Sequence, residues 1–281
     1  MKLSVFTDEI NRLSSARAIE LAADWGMSHV EVRILDSGRF PRVPDTELEE
    51  FQRRLADAGL IVSAVSPGLF KCPLDDGEVE PGLRETLPRA CEWARRWGTD
   101  MVSCFGFRRG DGGEPPAEVI DLLNRMADVA AGHGCRLLLE NEAVCWGDTG
   151  LEAAAILRQC AADNLSLCWD PGNAARAGSA APFPDEYRQL RDLVSHVHVK
   201  NFDADAGQWS LVETGVVDWP GQLQALADDG FEGFAVIETH TATSPDEFDT
   251  LSSELEPLEA NTCRNLHYVR SLLGLTPGHP Q

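Results

Sequence analysis

The 281 residues (30.7 kDa) suffice for one large α/β domain, and a hydrophobic content of 43% excludes a disordered chain. The formal charge of −22 argues against binding to nucleic acid or to an anionic membrane surface, because both attract basic proteins. No apolar run approaches the roughly 18 residues of a membrane-spanning helix, and the first ten residues lack a secretion signal. The eight cysteines are scattered without a Cys-x-x-Cys pair, so we expect reduced thiols in a cytoplasmic protein.

Eight short apolar, β-branched runs alternate with longer segments of helical periodicity. The predicted strands are residues 3–6, 29–34, 61–66, 101–105, 136–141, 165–170, 194–200 and 233–238. Their starts are about 33 residues apart, which is the size of one βα unit. Eight units predict a (β/α)8 TIM barrel, as a single domain over residues 1–275 with a frayed tail at 276–281. A doubly wound open sheet is the alternative, but the segment Thr7-Asp8-Glu9 after the first strand lacks the glycines typical of that fold.

Three helices are predicted to begin at capping boxes, in which a Ser or Thr and a Glu three residues later satisfy free backbone amides. The pairs are Thr46 with Glu49, Thr149 with Glu152 and Ser244 with Glu247. Asp218 is a further candidate N-cap, directly before Trp219.

Charged side chains interrupt the apolar pattern of several predicted strands near their C-terminal ends. In a parallel barrel one strand face meets the helices and the other fills the interior, so both faces are expected to be apolar. Alternate residues share a face, and the apolar residues of each strand form the set that contacts the helices. The charged residues therefore point into the barrel, close to its upper rim. They are His29, Glu31 and Arg33; Glu140 and Glu142; Asp170; His196, His198 and Lys200; Glu238 and His240.

Four of these side chains lie at equivalent depths of four consecutive strands, where they can meet at one point. They are Glu140, Asp170, His198 and Glu238. A lone glutamate at a strand end is usually solvated or salt-bridged, and an internal ion pair of Glu31 with Arg33 is an alternative to a functional role for these two residues. Three acids and one imidazole that converge in a barrel favour one divalent metal ion, because isolated buried carboxylates are costly. Oxygen-rich ligation indicates Mn²⁺ as the preferred ion, with Mg²⁺, Co²⁺ or Zn²⁺ as alternatives.

Seven short segments, in order along nearly the whole chain, resemble the sugar phosphate isomerase/epimerase family of the xylose isomerase-like barrel superfamily. They are FTDEI (6–10), VEVR (30–33), LLLENE (137–142), CWDPGN (168–173), HVHVKN (196–201), ETGVVDW (213–219) and VIETH (236–240). The superfamily also contains ketose 3-epimerases, inosose dehydratases and endonuclease IV.

The resemblance implies that Glu140, Asp170, His198 and Glu238 ligate one divalent metal ion. It also implies that Glu140 and Glu238 are the catalytic acid/base pair, acting on opposite faces of the substrate. The family often places pocket residues at the positions of Glu31 and Lys200. By their positions near strand ends, Arg33, Glu142, Trp146, Asn173 and His240 are further candidates for substrate contact.

Four positions depart from the family pattern, and they bear on the substrate more than on the metal ion. Asn173 stands where many relatives have histidine, and Asn201 where many have aspartate. Glu142 replaces a frequent histidine, and Glu213 replaces the first glycine of a Gly-x-Gly turn.

The metal cluster and the resemblance together imply a metal-dependent isomerase or epimerase of a ketose, a sugar phosphate or a related polyol ketone. Its chemistry would be proton transfer through a metal-stabilised enediolate. A metal-dependent dehydratase of an inosose-like keto-polyol is the main alternative, and a non-catalytic sugar-binding barrel is another. A phosphodiesterase would need a zinc cluster with more histidines than the seven in this chain supply. The expected partner is a small carbohydrate substrate, with a homodimer as the default assembly.

Overall fold

Eight parallel strands, β1–β8, form the centre of the protein in the computed structural model, which describes residues 1–110, 112–241 and 254–275. The strands are β1 (Lys2–Val5), β2 (His29–Val32), β3 (Ile61–Leu69), β4 (Met101–Arg108), β5 (Arg136–Glu140), β6 (Leu165–Trp169), β7 (Val194–Val199) and β8 (Phe234–Ile237). Consecutive strands pair from β2 to β8, and β8 pairs with β1. A bridge between Phe6 and Glu31 joins β1 to β2 and nearly closes the barrel. The predicted (β/α)8 fold is confirmed.

Every predicted strand is present, with ends that differ by one to three residues. The largest difference is at β3 and β4, which continue three residues beyond their predicted ends, to Leu69 and Arg108. β4 is extended because Cys145–Trp146 pairs with it in the antiparallel direction. At Gly106 a Cβ would collide with the carbonyl oxygen of Trp146, so this close pairing requires glycine.

Helices follow the strands and cover the outside of the barrel. They are Thr7–Ile10, Ser15–Asp24, Asp45–Ala58, Val79–Pro81, Leu87–Arg96, Ala117–Gly132, Gly150–Leu157, Pro171–Arg176, Tyr187–Leu190, Trp219–Asp228 and Pro257–Leu272, with π-helical segments at Gly82–Thr86 and Pro182–Glu186. Two antiparallel hairpins stand on the loops that follow β2 and β7. They join Ile34–Leu35 to Gly38–Arg39 and Asn201–Asp203 to Gln208–Ser210. Among the described residues no helix is long and apolar enough to cross a membrane.

The helix starts agree in part with the predicted caps. Thr149 accepts a hydrogen bond from the backbone N–H of Glu152, and Asp218 caps the helix Trp219–Asp228. The prediction that Thr46 is the N-cap is wrong, because the helix begins at Asp45 and its N-cap is Pro44, two residues before Thr46. Instead of a side-chain cap, acidic side chains in the first turn stabilise the helix by their interaction with the positive end of its dipole. The Ser244 and Glu247 pair lies outside the described residues, as does the tail 276–281.

Apolar side chains fill two layers, one between strands and helices and a smaller one inside the barrel. Leu137 and Leu139 of β5 face the helices, whereas Leu138 joins the inner cluster. That cluster consists of Ala64, Met101, Leu138 and Cys168, with Phe234 packed against it. The inner layer fills the barrel below the charged residues, so these lie directly above packed apolar side chains. All eight cysteines carry free thiols, as the sequence predicts.

Candidate metal and active site

A cavity of about 380 Å³ opens at the C-terminal ends of the barrel strands, a size suited to a small-molecule ligand. It is the position at which TIM-barrel enzymes hold their active sites. Seven of the predicted site residues line this cavity: Arg33, Glu140, Glu142, Asn173, Lys200, Glu238 and His240. Asp170 and His198 lie buried at its base, within reach of Glu140 and Glu238.

The four predicted metal ligands come together at this base. Glu140 ends β5, Asp170 follows β6, His198 lies in β7 and Glu238 follows β8. Each offers one donor atom, and the four donor atoms lie within 4.8 Å of one another. His198 Nδ1 is 3.2 Å from Glu140 Oε1 and 3.5 Å from Glu238 Oε2. Consecutive parallel strands thus bring together groups that are up to 98 residues apart in sequence.

The two carboxylate oxygens of Asp170 make different contacts. Oδ1 accepts a hydrogen bond from the backbone N–H of Asn173, which caps the helix Pro171–Arg176 and fixes the carboxylate. The backbone of Asp170 is held in turn by the Asn141 side chain, which bonds both its N–H and its carbonyl oxygen at 2.8 Å. Oδ2 is left facing the cluster. Burial raises the pKa of Asp170 to about 6, with the charges of Glu238 and Glu140 adding to it against the pull of Lys200.

His198 is oriented from below by Glu31. Its Nε2 lies 3.4 Å from Glu31 Oε1, while His196 Nε2 lies 2.7 Å from Glu31 Oε2. Burial alone would raise the pKa of Glu31, but the two histidines hold it at about 2. With Nε2 directed at this carboxylate, Nδ1 points to the cluster. Within the described part of the chain, Nδ1 is a buried nitrogen with no hydrogen-bond partner.

Glu238 lies among three basic side chains. Its Oε1 accepts a hydrogen bond from Arg33 Nη1 (2.6 Å) and lies 2.8 Å from His240 Nε2, while Oε2 accepts from Lys200 Nζ (2.9 Å). Burial disfavours the charged form, but Lys200, His240 and Arg33 together hold the pKa of Glu238 well below its usual value. Glu238 is therefore a carboxylate at neutral pH.

Lys200 also reaches Asp170, whose Oδ2 lies 2.8 Å from Nζ. This route depends on Gly172, because a Cβ there would lie 2.8 Å from Lys200 Cγ and 3.0 Å from its carbonyl oxygen. The surrounding carboxylates raise the pKa of Lys200 although burial opposes its charge. Lys200 is thus an ammonium in contact with two of the three carboxylates of the cluster, Asp170 and Glu238.

Two acidic residues of the site, Asp8 and Glu9, were missed by sequence reasoning. Arg33 Nε donates to Asp8 Oδ2 at 2.8 Å, and its Nη2 bonds Glu9. Glu9 also accepts from the backbone N–H of His240, at 2.7 Å. The signal was present, since both acids directly follow the first strand within the segment FTDEI. The segment contributed to the family resemblance, but neither acid was predicted to be a site residue.

The remaining cavity wall comes from loops. Trp209, on the hairpin after β7, lies with its ring centroid 4.8 Å from Lys200 Nζ and 5.2 Å from the His240 ring. Arg12, Arg39, Lys71 and Arg176 add positive charge, and Phe6 and Phe105 add apolar surface. Phe105 lies in β4, whereas Arg12, Lys71, Arg176 and Trp209 lie outside the barrel strands, where strand parity cannot place a side chain.

The structure does not bring two predicted pocket residues to the cavity wall. Glu31 lies fully buried beneath His198. Trp146 is buried against Arg109, whose guanidinium carbon is 4.4 Å from the ring centroid. The two differences have different causes. Strand parity gives the face on which Glu31 lies but not its depth, and Trp146 is turned away by its antiparallel pairing with Gly106.

A model of the xylose isomerase-like TIM barrel family matches residues 19–260. Among solved structures, D-psicose 3-epimerase from Clostridium cellulolyticum H10 is 15% identical with a TM-score of 0.74, covering 97% of this chain and 99% of that one. A probable 3-DHS dehydratase, AsbF, from Bacillus anthracis is 20% identical with a TM-score of 0.72, covering 93% and 97%.

A xylose isomerase-like TIM barrel protein from Mycobacterium smegmatis, solved in complex with magnesium, is 21% identical with a TM-score of 0.65, covering 92% and 89%. At these identities the likeness shows the fold. The protein MJ1311 from Methanocaldococcus jannaschii is 23% identical over 129 residues, which are 43% of this chain, and the match spans 44% of that relative's length. Because the family model extends over most of the barrel, the chain belongs to the xylose isomerase-like TIM barrel family.

Proposed function

We propose that this protein is a divalent-metal-dependent isomerase or epimerase that acts on a ketose or a related polyol ketone. The observation that carries the proposal is the cluster of Glu140, Asp170, His198 and Glu238 at the base of the cavity, with donor atoms within 4.8 Å of one another. Three carboxylates and one imidazole suit a hard or borderline divalent ion. His198 Nδ1 and Asp170 Oδ2 are both buried and face the cluster without a hydrogen bond from the described residues, although Lys200 Nζ lies 2.8 Å from Oδ2.

The proposed reaction is proton transfer next to a carbonyl group. When bound, a divalent cation supplies Lewis-acid stabilisation of the negative charge that develops on the substrate oxygens. Glu140 and Glu238 are the proton carriers: one carboxylate takes the proton, and a protonated carboxyl of the pair returns one to the adjacent carbon or to the opposite face. Arg33 and His240 hold Glu238 in place, and Asn173 donates to Glu140 Oε1 at 3.2 Å.

The direct test is the exchange of a substrate proton with solvent. The purified protein, loaded with Mn²⁺ in ²H₂O, is incubated with a panel of ketoses and polyol ketones and followed by NMR and mass spectrometry. The proposal expects deuterium next to the carbonyl of at least one compound, together with a new isomer of the same composition. Binding of a ketose without exchange would indicate a sugar-binding barrel and contradict the proposal.

A dehydratase is the second candidate, and one neighbour in fold is a probable 3-DHS dehydratase. Dehydration begins with the same proton abstraction but then expels a β-hydroxyl group. In this site the ammonium of Lys200, 2.9 Å from Glu238, could stabilise the departing oxygen. A product lighter by one water would assign this reaction, whereas an isomer of unchanged mass assigns the first one.

Replacing Glu31 by glutamine is expected to weaken metal binding about 10- to 100-fold, because the carboxylate that orients His198 and favours its Nδ1 as a ligand is lost. The affinity for Mn²⁺ is measured by calorimetry on the wild type and on Glu31→Gln. Glu118→Gln, on the exposed face of an outer helix, is the control and should bind as the wild type does. Equal affinities for Glu31→Gln and the wild type would contradict an orienting role for Glu31.

A further inference from the structure

Basic side chains are concentrated at the cavity. Six of the 24 lysines and arginines of this strongly acidic chain line it. They are Arg12, Arg33, Arg39, Lys71, Arg176 and Lys200. Such a concentration is not needed to bind a neutral sugar, whose hydroxyl groups are served equally well by amides and neutral donors.

Five of the six have a carboxylate within 4 Å. Arg33 and Lys200 contact the acids described above, Lys71 and Arg176 lie 2.6 and 3.8 Å from oxygens of Glu142, and Arg12 lies 3.8 Å from Glu9. These ion pairs account for the charge of five cations within the protein itself.

Arg39 differs from the other five. No carboxylate of the described residues lies within ion-pair distance of its guanidinium, whose one hydrogen bond within that part of the chain runs from Nη2 to the carbonyl oxygen of Ser66, at 3.3 Å. Its Nε is a buried atom without a partner among the same residues. Burial lowers the pKa of Arg39, and the nearby charge of Arg33 lowers it further. Arg39 as a whole is half-buried, and a guanidinium whose buried Nε lacks an acceptor has lost solvation that an anion reaching it would offset.

The position of the Arg39 guanidinium depends on a glycine of β3. Arg39 ends the second strand of the hairpin after β2, and its side chain crosses Gly68 near the end of β3. A Cβ at Gly68 would collide with Arg39 Nε, and Gly68 has a φ of +73°, which favours glycine. The guanidinium therefore lies where the hairpin after β2 crosses the C-terminal end of β3.

We propose that Arg39 binds an anionic group of the substrate, a carboxylate or a phosphate, so that the substrate is an acidic ketose or polyol ketone. This inference rests on the proposed function, since it places the carbonyl end of the substrate at the four-residue cluster and the anion at Arg39 in the same cavity. The planar fork of a guanidinium matches both oxyanions through paired N–H donors.

The charge balance of the site supports the same substrate class. The six cations are matched by six acids at the cavity and its base: Asp8, Glu9, Glu140, Glu142, Asp170 and Glu238. A divalent metal ion would leave this set with two excess positive charges. A substrate that carries one or two negative charges offsets that excess, and a neutral sugar does not.

The test is anion binding to the full-length protein as purified, measured by calorimetry with inorganic phosphate and with acetate at constant ionic strength. We expect saturable binding of at least one anion to the wild type, and binding weakened about tenfold or more in Arg39→Gln. Arg42→Gln is the matched control, since Arg42 lies three residues away with a partly exposed contact to Glu78 and does not line this cavity. It should bind as the wild type does.

The stronger of the two anions identifies the group that Arg39 accepts. The inference is overturned if neither anion saturates the wild type below about 50 mM, or if Arg39→Gln binds both as tightly as the wild type. Circular dichroism of each variant separates lost binding from lost folding, and Arg39→Lys, which keeps the charge, covers the case in which the glutamine variant does not fold.

A substrate comparison keeps this inference separable from the proposed function. Proton exchange is measured with fructose, fructose 6-phosphate and fructuronate, which share a ketose skeleton and differ at the sixth carbon. Exchange that is as fast with fructose as with the two anions overturns the acidic substrate class and leaves the proposed function in place. Anion binding at Arg39 without exchange of any substrate proton supports the anion site and contradicts the proposed function.

Discussion

Replacing Glu238 by glutamine is expected to lower the rate of proton exchange by a factor of about 10² to 10⁴, the usual contribution of a general acid or base. The amide cannot take up a proton and is a poorer metal ligand than the carboxylate. It also leaves Arg33, His240 and Lys200 without the negative charge they now contact. The loss should appear in kcat as well as in kcat/KM, because the interaction acts on the reacting proton.

The measurement is the deuterium exchange described above, with circular dichroism to show that the barrel is intact. Glu140→Gln should lose activity to a similar extent, since Glu140 is the second proposed proton carrier. Glu118→Gln makes the same chemical change on the protein surface and should keep wild-type rates. Exchange within about tenfold of the wild type in either Glu140→Gln or Glu238→Gln would exclude that residue as a proton carrier.

Arg33→Met is expected to lower the free energy of unfolding by about 3–5 kcal/mol, the range found when one partner of a buried ion pair is removed. Arg33 is 14% exposed and is the shared partner of Asp8, Glu9 and Glu238, all of which are nearly fully buried. Its removal leaves three carboxylates close together without their common counter-charge. Methionine keeps most of the volume, so the change isolates the charge.

Urea or guanidinium unfolding of the wild type and of Arg33→Met at neutral pH measures this loss. Arg136→Met is the matched control, because Arg136 also bonds a carboxylate through two nitrogens, at 2.9 and 3.0 Å from Asp100, but is 45% exposed. It should cost less than about 1 kcal/mol. A loss for Arg33→Met as small as that of the control would show that Asp8 and Glu9 do not depend on Arg33.

The fold followed from the sequence because its signals are local and repeated. Eight apolar runs at a regular spacing, each followed by a helical segment, specify the order of strands, and parallel pairing then closes the barrel. The error at Thr46 arose because a neighbouring residue begins the helix first. Pro44 is the N-cap and Asp45 the first helical residue, so Thr46 already lies inside the helix. Such boundaries depend on one or two residues and carry little sequence signal.

The cluster at the base of the cavity could be predicted for a geometric reason. Glu140, Asp170, His198 and Glu238 each lie at the C-terminal end of a strand and on its inward face, so neighbouring strands bring them together without help from any loop. The same rule reached Lys200, which shares its face with His198 and lies 2.8 Å from Asp170.

Strand parity does not predict how deep in the barrel a residue lies, nor where a loop places its side chains. Glu31 has the correct parity but pairs with Phe6 at a lower level, under His198, where it contacts that imidazole and does not line the cavity. Arg39 and Trp209 reach the cavity on hairpins whose paths depend on tertiary contacts, such as the passage of Arg39 across Gly68. The sequence shows that these two side chains are basic and aromatic, but it does not predict that they line the cavity.

Metal content tests the central claim most directly, because the proposed proton chemistry depends on the four-residue cluster holding an ion. Protein purified without chelator and incubated with Mn²⁺ is desalted and analysed by mass spectrometry for manganese, magnesium, cobalt and zinc per chain. About one divalent ion per chain is expected. It should be lost in Asp170→Asn, which keeps the oxygen that caps the following helix, and retained in Asp192→Asn at the surface. No bound ion in the wild type, or an unchanged content in Asp170→Asn, would contradict the account.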